Sequence, residues 1–299
     1  MIATGTPGPA PDLVAVTLVL RPERPGRLPA FGGRLVQGWW LGHLRRIDPD
    51  LATRLHDEGG QRPYACAAPR GLPPVPPGAL AAVTPDLRLI VRLSGWTPAL
   101  VAHLLDLVER PPAGLLLGDV PCVVDRAVLD PAAPPATFAG LIERHLLAPA
   151  PGEDGRDVSL EFLSPAAFRR AETPLGRPAP LPFPDPQYVW GGLFLRWQEA
   201  TPLPLHPALY AGLASRVGVA RFAGESARAL VTGLAPAGPR PGGRAGQWFV
   251  GYVGRCSYWA PRDDPDLGRT MHLLARFAAF AGVGHGTAYG FGQVRVGER

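Results

Sequence analysis

Strand-like and helix-like segments follow one another in this chain in an order that few folds share. In the first half, β-branched or alternating apolar residues predict strands at 13–20, 87–94 and 121–129. Apolar residues that recur at helical spacing predict helices at 35–47, 97–110 and 138–147. With a weaker strand near 64–68, the order is strand–helix–strand–strand–helix–strand. This order is typical of a ferredoxin-like (RRM-like) domain.

The second half follows the same order, although no sequence repeat is detectable. Strands are predicted at 158–163, 217–224, 248–259 and 291–296, and helices at 186–200 and 267–282. A stretch rich in proline, glycine and charge, 148–157, separates the halves. We therefore predict an α+β chain of two tandem ferredoxin-like (βαββαβ) domains. Its parts are a leader over 1–12, an N-terminal domain over 13–150 and a C-terminal domain over 156–299.

A glycine-rich loop, AGVGHGTAYGFGQVRV, occupies residues 281–296 near the end of the chain. It does not match the P-loop pattern. It also joins a helix to a following strand, whereas a dinucleotide fingerprint joins a strand to a following helix. Both common nucleotide-binding loops are therefore excluded. Two interpretations stay open: a helix C-cap followed by a turn, or a row of backbone N–H groups that binds an anion.

The basic charge of the chain is carried entirely by arginine. The sequence has 30 basic and 25 acidic residues, a net charge of +5, and no lysine. The planar guanidinium suits phosphates and stacks on bases, so a nucleic-acid partner is one explanation. A GC-rich coding bias is the other, and the composition does not separate them.

Cysteine usage and the N-terminus favour a cytoplasmic protein. Cys66, Cys122 and Cys256 are far apart and no CxxC occurs, which argues against a disulfide framework or a zinc site. The first residues lack the pattern of a signal peptide. No apolar run is long enough to span a membrane, so no membrane partner is expected.

Three stretches resemble, in the same order, the CRISPR-associated repeat-cleaving (pre-crRNA processing) endoribonucleases of the RAMP superfamily. They are DPDLATRLHDEGGQRPY at 48–64, LEFLSPAAFRR with PLPFPDPQYVWGGLFLRW within 160–197, and WFVGYVGRCSYW with LLARFAAFAGVGHGTAYGFGQVRV within 248–296. The resemblance implies two ferredoxin-like domains and cleavage of repeat RNA in the CRISPR precursor transcript. It implies a metal-independent reaction without a cofactor, and a glycine-rich loop that helps to hold RNA.

His56 and Arg62 are the catalytic candidates. Metal-free RNA cleavage needs a base for the 2′-hydroxyl proton, an acid for the leaving 5′-oxygen and positive charge beside the phosphate. The resemblance places His56 at the family's general acid/base, and Arg62 where some members carry an active-site lysine. From the residues alone, His56 lies in the last turn of a short helix that Asp48 and Pro49 begin, where the helix dipole stabilises a positive charge. A capping role is the alternative for this histidine.

The second acid/base group is left open. Leu41 occupies the position where some family members have a tyrosine, and Gly286 the position where a lysine often precedes the threonine. His43 is the rival to His56, but it borders the apolar stripe of the first helix, where histidines are usually packed. His285, in the glycine-rich loop, could contact RNA or assist as a second acid/base group. The remaining four histidines, His103, His145, His206 and His272, are expected to be structural.

RNA contacts are expected from arginines on both halves and from the glycine-rich loop. A solvated surface role is the alternative for each arginine. We expect the loop to contact the RNA backbone away from the scissile bond. The candidates are Arg45, Arg46, Arg169, Arg170, Arg255, Gly282, Gly284, His285, Gly290 and Gly292.

The functional prediction is therefore a metal-independent endoribonuclease that produces 2′,3′-cyclic phosphate and 5′-hydroxyl ends. The alternative is a non-catalytic RNA-binding subunit of a CRISPR effector complex. The expected partner is CRISPR repeat RNA, and an effector complex and a homodimer are left open as further partners. A metabolic nucleotide enzyme is disfavoured, because neither phosphate-binding motif fits its context.

Overall fold

The computed structural model describes residues 9–57, 61–147, 156–169, 180–231 and 247–297. The predicted leader is described only from residue 9, and residues 148–155 of the predicted linker lie outside the described part. The division into domains at this linker therefore stays a prediction. Within the described residues, no helix is long and apolar enough to cross a membrane.

The first half folds around one antiparallel sheet. In chain order its elements are β1 (Val14–Pro22), β2 (Gly26–Pro29), α1 (Gly33–Ile47), α2 (Pro49–Asp57), β3 (Tyr64–Cys66), β4 (Leu80–Val83), β5 (Leu89–Gly95), α3 (Pro98–Glu109), β6 (Gly114–Leu117), β7 (Val120–Leu129) and α4 (Phe138–Ile142), which continues as a π-helical turn, Glu143–Leu147. The strand order is β3-β5-β1-β7-β6, and β2 pairs with β4 in a separate ribbon. The order β3-β5-β1-β7 is that of a ferredoxin-like sheet.

The second half has the same topology. Its elements are β8 (Asp157–Ala166), β9 (Phe168–Arg169), β10 (Pro180–Leu181), α5 (Pro186–Ala200), α6 (Ala208–Ser215), β11 (Gly218–Val231), β12 (Gln247–Trp259), α7 (Pro265–Ala281), a 3₁₀ turn (Thr287–Tyr289) and β13 (Val294–Val296). The strand order is β11-β12-β8-β13, and β9 pairs with β10 in a separate ribbon. The predicted tandem ferredoxin-like fold is thus confirmed.

The N-terminal sheet is covered on both faces. Side chains alternate along β1, so Val16 and Leu18 face the core formed with α1 and α3, where Trp40 is fully buried. Ala15 belongs to the other face, which joins the core of the second half. Trp96 meets Phe277 of α7 edge-on at 5.9 Å between ring centroids. The two halves therefore share one apolar interface.

The glycine-rich loop lies against the N-terminal half. A Cβ at Gly33, the first residue of α1, would lie 2.0 Å from the carbonyl oxygen of Tyr289, so α1 begins in direct contact with the 3₁₀ turn. Gly290 forms an isolated bridge with Ala67, just after β3. The Phe31 and Phe291 rings stack at 4.3 Å. The loop is therefore held between the two halves.

Candidate active site

Helix α2 carries His56, and Asp48 fixes its start. One carboxylate oxygen of Asp48 accepts the backbone N–H of Leu51 at 3.0 Å, an N-cap bond, and the other lies 3.3 Å from Nε2 of His103 on α3. Both contacts lower the pKa of the Asp48 carboxyl, the backbone hydrogen bond being the larger cause. The predicted cap is confirmed. The histidine at the other end of α2 therefore stands on a helix that is tied to α3.

His56 projects into solvent from the last turn of α2. Its side chain is 69% exposed, while Leu55 beside it is buried. Nδ1 lies 2.8 Å from Oδ1 of Asp57. A carboxylate at this position can accept a hydrogen bond from an Nδ1–H and so orient the ring. Asp57 thus holds the imidazole so that Nε2 is directed away from this contact.

Arg62 closes the C-terminal end of α2. Its guanidinium donates from Nη1 to the carbonyl of Leu55 and from Nη2 to the carbonyl of His56, the latter at 3.1 Å. A cation at the last carbonyls of a helix is favourable, because the dipole is negative there. Arg62 therefore brings positive charge next to His56 and also fixes the backbone of that histidine.

The glycine-rich loop is a compact turn. All five glycines have positive φ: Gly282 (69°), Gly284 (77°), Gly286 (83°), Gly290 (104°) and Gly292 (60°). Gly282 ends α7, as the C-cap interpretation expects. A Cβ at Gly292 would lie 1.8 Å from the carbonyl oxygen of Val283. The backbone of this loop therefore follows a path that only glycine allows at these positions.

His285 and Tyr289 form the polar part of this loop. The Tyr289 hydroxyl lies 3.1 Å from Nε2 of His285, and the guanidinium of Arg34 on α1 stands 4.7 Å from the centre of the tyrosine ring. The backbone N–H of His285 donates to the carbonyl of Ala167 at 2.9 Å. The His285 side chain, an RNA-binding candidate, is half-buried beside Tyr289 and Phe249.

Arg196 on α5 ties the loop to the segment that follows His56. Nη1 donates to the carbonyls of Ala281 at 2.8 Å and Gly282 at 3.0 Å, and Nη2 donates to that of Gly284 at 3.0 Å. Nε donates to Oε1 of Gln61. Gln61 directly precedes Arg62, so the loop lies closer to the candidate active site than we expected. The sequence did not indicate this proximity, because the contact joins residues that are far apart in the chain.

The rival histidine, His43, is packed rather than presented to solvent. Its ring stacks on Trp40 at 5.9 Å and lies 5.7 Å from Trp39. Burial, aided by the nearby charge of Arg46, lowers the pKa of His43. The structure thus gives His43 the half-buried position at the edge of the apolar stripe that the sequence indicates.

The other RNA-binding candidates lie on two surfaces. Arg45 and Arg46 are exposed in the last turn of α1. Arg255 is exposed on β12. It lines a groove of about 1150 Å³ that also contains Arg221, Arg276 and Arg295. Arg169 ends β9, and Arg170 lies outside the described residues.

Sequence reasoning missed Arg196, Gln61, Arg34 and Tyr289. A signal for Arg196 was present, because it is the one charged residue between Leu193 and Trp197 in an apolar helix. An arginine in such a setting needs buried partners. No comparable pattern marks the other three.

Known proteins resemble this chain in sequence and in fold. The sequence model of the CRISPR-associated endoribonuclease Cas6 matches residues 160–294. A search of curated proteins finds no significant match. Among solved structures, a Cas6 product complex from Thermus thermophilus is 27% identical, with a TM-score of 0.72, over 95% of this chain and 99% of its own.

Two further structures agree with this result. A second Cas6 product complex is 26% identical, with a TM-score of 0.69, over 96% of this chain and 99% of its own. A Cas6-related protein from Pyrococcus furiosus is 14% identical over 96% of this chain and 99% of its own, with a TM-score of 0.62, and therefore shares the fold alone.

The tandem ferredoxin-like fold of this chain is that of the Cas6 structures. The C-terminal half carries the Cas6 sequence pattern, and almost the whole length superimposes on Cas6 structures. The chain is therefore similar to the Cas6 endoribonucleases in sequence over its C-terminal half and in fold over almost its whole length.

Proposed function

We propose that this chain cleaves CRISPR repeat RNA in the precursor transcript, without a metal ion, and that His56 is a general acid/base of the reaction. The observation that carries the proposal is the geometry of His56, an exposed imidazole oriented by Asp57 and flanked by the Arg62 guanidinium. The match of residues 160–294 to the Cas6 family model and the likeness to two Cas6 product complexes support RNA as the substrate.

The proposed chemistry is an internal transesterification. The 2′-oxygen loses its proton and forms a bond to the adjacent phosphorus, while the bond from phosphorus to the 5′-oxygen breaks and that oxygen takes up a proton. The products carry a 2′,3′-cyclic phosphate and a 5′-hydroxyl. Nε2 of His56 exchanges one of these protons. Arg62 contributes positive charge where the phosphate gains negative charge.

RNA is held on both sides of this site in the proposal. On one side, the proposed contacts are Gly282, Gly284, His285, Gly290 and Gly292 of the glycine-rich loop, in which the Gly284 carbonyl accepts a hydrogen bond from Arg196. The exposed arginines Arg45, Arg46 and Arg255 would contact phosphates of a folded repeat, which proteins recognise largely by shape and backbone. The same role is proposed for Arg169 and Arg170. The effector complex and the homodimer stay predictions, to be tested by the mass of the protein–RNA complex.

The test is cleavage of the repeat RNA from the neighbouring CRISPR array in the presence of EDTA. We expect cleavage without added metal, and no cleavage when the nucleotide before the scissile phosphate is 2′-deoxy, because the attacking hydroxyl is then missing. His56→Ala should slow single-turnover cleavage by about 10²–10⁴-fold, the usual contribution of a general acid/base.

His43→Ala is the matched control, since it removes a histidine from the neighbouring helix. It should fold less stably, because the Trp40 stack is lost, and cleave at the wild-type rate below its melting temperature. A requirement for Mg²⁺ would refute the proposed mechanism. Normal cleavage by His56→Ala, with a loss in His43→Ala, would refute the assignment. RNA binding by the wild type without any cleavage would favour the non-catalytic alternative.

A further inference from the structure

Arg196 occupies an unusual position for a charged residue. It lies on α5 between the buried Phe194 and Trp197, and burial lowers the pKa of its guanidinium to about 10. It stays protonated at neutral pH. Four of its hydrogen bonds go to uncharged oxygens, three backbone carbonyls and one side-chain amide. Uncharged partners hold the arginine in place but do not cancel its charge.

The three carbonyls belong to the end of α7 and the start of the glycine-rich loop. Ala281 is the last residue of α7, Gly282 is its C-cap and Gly284 is the second glycine of the loop. Carbonyls at a helix C-terminus lack partners within the helix and carry the negative end of its dipole. The Arg196 guanidinium satisfies these carbonyls and sets the direction in which the loop leaves the helix.

The fourth bond crosses to the other half of the molecule. Gln61 lies between α2 and β3, and Arg62, which follows it, holds the carbonyl of His56 at 3.1 Å. Two adjacent residues thus bind two different parts of the candidate site. Gln61 binds the arginine that holds the loop, and Arg62 binds the end of the helix that carries His56.

We infer that Arg196 and Gln61 are positioning residues, which fix the glycine-rich loop relative to His56 so that RNA held by the loop presents its scissile phosphate to the imidazole. This inference rests on the proposed function. Neither residue needs to touch the reacting atoms. Reacting groups must stay close to the productive geometry, and a misplacement of about 1 Å can cost about a hundredfold in rate.

Gln61→Leu tests the link with the least disturbance. Gln61 is exposed, and leucine keeps its approximate volume but cannot accept the Arg196 bond, while all three carbonyl bonds of Arg196 remain. We expect the single-turnover rate at saturating RNA to fall between about tenfold and about a hundredfold. The Kd for uncleaved 2′-deoxy repeat RNA and the melting temperature should stay close to wild type. Gln61→Glu, which can still accept the Nε–H bond, should restore most of the rate.

Gln198→Leu is the control for the loss of a side-chain amide hydrogen bond elsewhere on the same helix. The Gln198 amide binds the backbone of Leu205 in both directions, at 3.0 and 2.8 Å, away from the loop. This variant should melt at a lower temperature and cleave at the wild-type rate. Arg196→Gln should lose both stability and rate, because the end of α7 is then uncapped.

The outcomes separate this inference from the proposed function. Absence of cleavage by the wild-type protein would count against the function itself. A wild type that cleaves, with Gln61→Leu cleaving equally fast at saturation, would overturn the inference alone. A Gln61→Leu variant with an unchanged saturating rate but a higher Kd would show that Gln61 is an RNA contact, which also overturns it.

Discussion

Single arginines organise the candidate site by binding backbone rather than carboxylates. Arg62 and Arg196 each donate to consecutive carbonyls at a helix end, of α2 and of α7. The planar fork of arginine reaches two carbonyls at once, whereas a lysine ammonium is a single point charge. In a chain without lysine, the same residue type can therefore serve as a helix cap and as a phosphate-attracting cation.

His145 is a histidine whose protonated form is less stable in the folded protein than in the unfolded chain. Burial, with the nearby His272 and Arg276, lowers the pKa of His145 from 6.5 to about 4. At a pH between these two values, the unfolded chain binds a proton at His145 and the folded chain does not. Stability has its full value above about pH 6.5 and declines as the pH falls toward about 4.

Urea unfolding over this pH range measures the effect. His145→Gln should make the free energy of unfolding depend less steeply on pH between about 6.5 and about 4. His206→Gln is the control variant, because it removes an exposed histidine instead of a half-buried one. An equal slope in wild type and His145→Gln would contradict the lowered pKa.

At the scale of elements, local patterns predicted those segments whose partners are close in the chain. Helix α5 was predicted at its observed limits despite its paired glycines, and the Asp48 cap of α2 was correct. The π-helical turn after α4 was not predicted, because it continues the same apolar spacing. The closing strand is shorter than predicted, since residues 291–293 complete the glycine-rich loop.

The missed elements depend on contacts across the fold. Strand β6 is a short partner of β7, and β2 and β4 pair only with each other, so their few residues carry little pattern of their own. The candidate site divides in the same way. His56 was predicted from a resemblance carried by its neighbouring residues, whereas Arg196 and Gln61 are 135 positions apart and meet only after both halves have folded.

The glycine-rich loop is the element whose conformation a single substitution tests best. Gly292→Ala forces an alanine to φ 60° and places its Cβ 1.8 Å from the carbonyl oxygen of Val283. We expect a loss of about 2 kcal/mol or more in the free energy of unfolding, measured by urea denaturation, because strain and overlap add.

Gly192→Ala is the control for glycine replacement. Gly192 lies inside α5 with open space around it, so alanine should raise stability by about 1 kcal/mol through its higher helix propensity. A neutral Gly292→Ala variant would mean that the loop can take another path.

On the scale of the whole molecule, the two halves are joined by buried polar contacts as well as by apolar packing. Arg92 on β5 pairs with Asp130 in its own half and donates to the carbonyl of Ala279 on α7 at 2.6 Å. The Ser94 hydroxyl donates to the carbonyl of Phe280 at 2.6 Å. These bonds fix the end of α7, and with it the start of the glycine-rich loop, on the sheet of the first half.

Replacing Arg92 should therefore lower the free energy of unfolding of the whole molecule rather than of one half. Arg92→Met leaves the carboxylate of Asp130, only 9% exposed, without its cation. We expect a loss of about 3–5 kcal/mol in the free energy of urea unfolding, with a single transition still observed. The double variant with Asp130→Asn should recover much of this loss, since no unpaired charge then stays buried. Two separate transitions in the wild type would show instead that the halves unfold independently, and that the shared interface around α7 does not couple them.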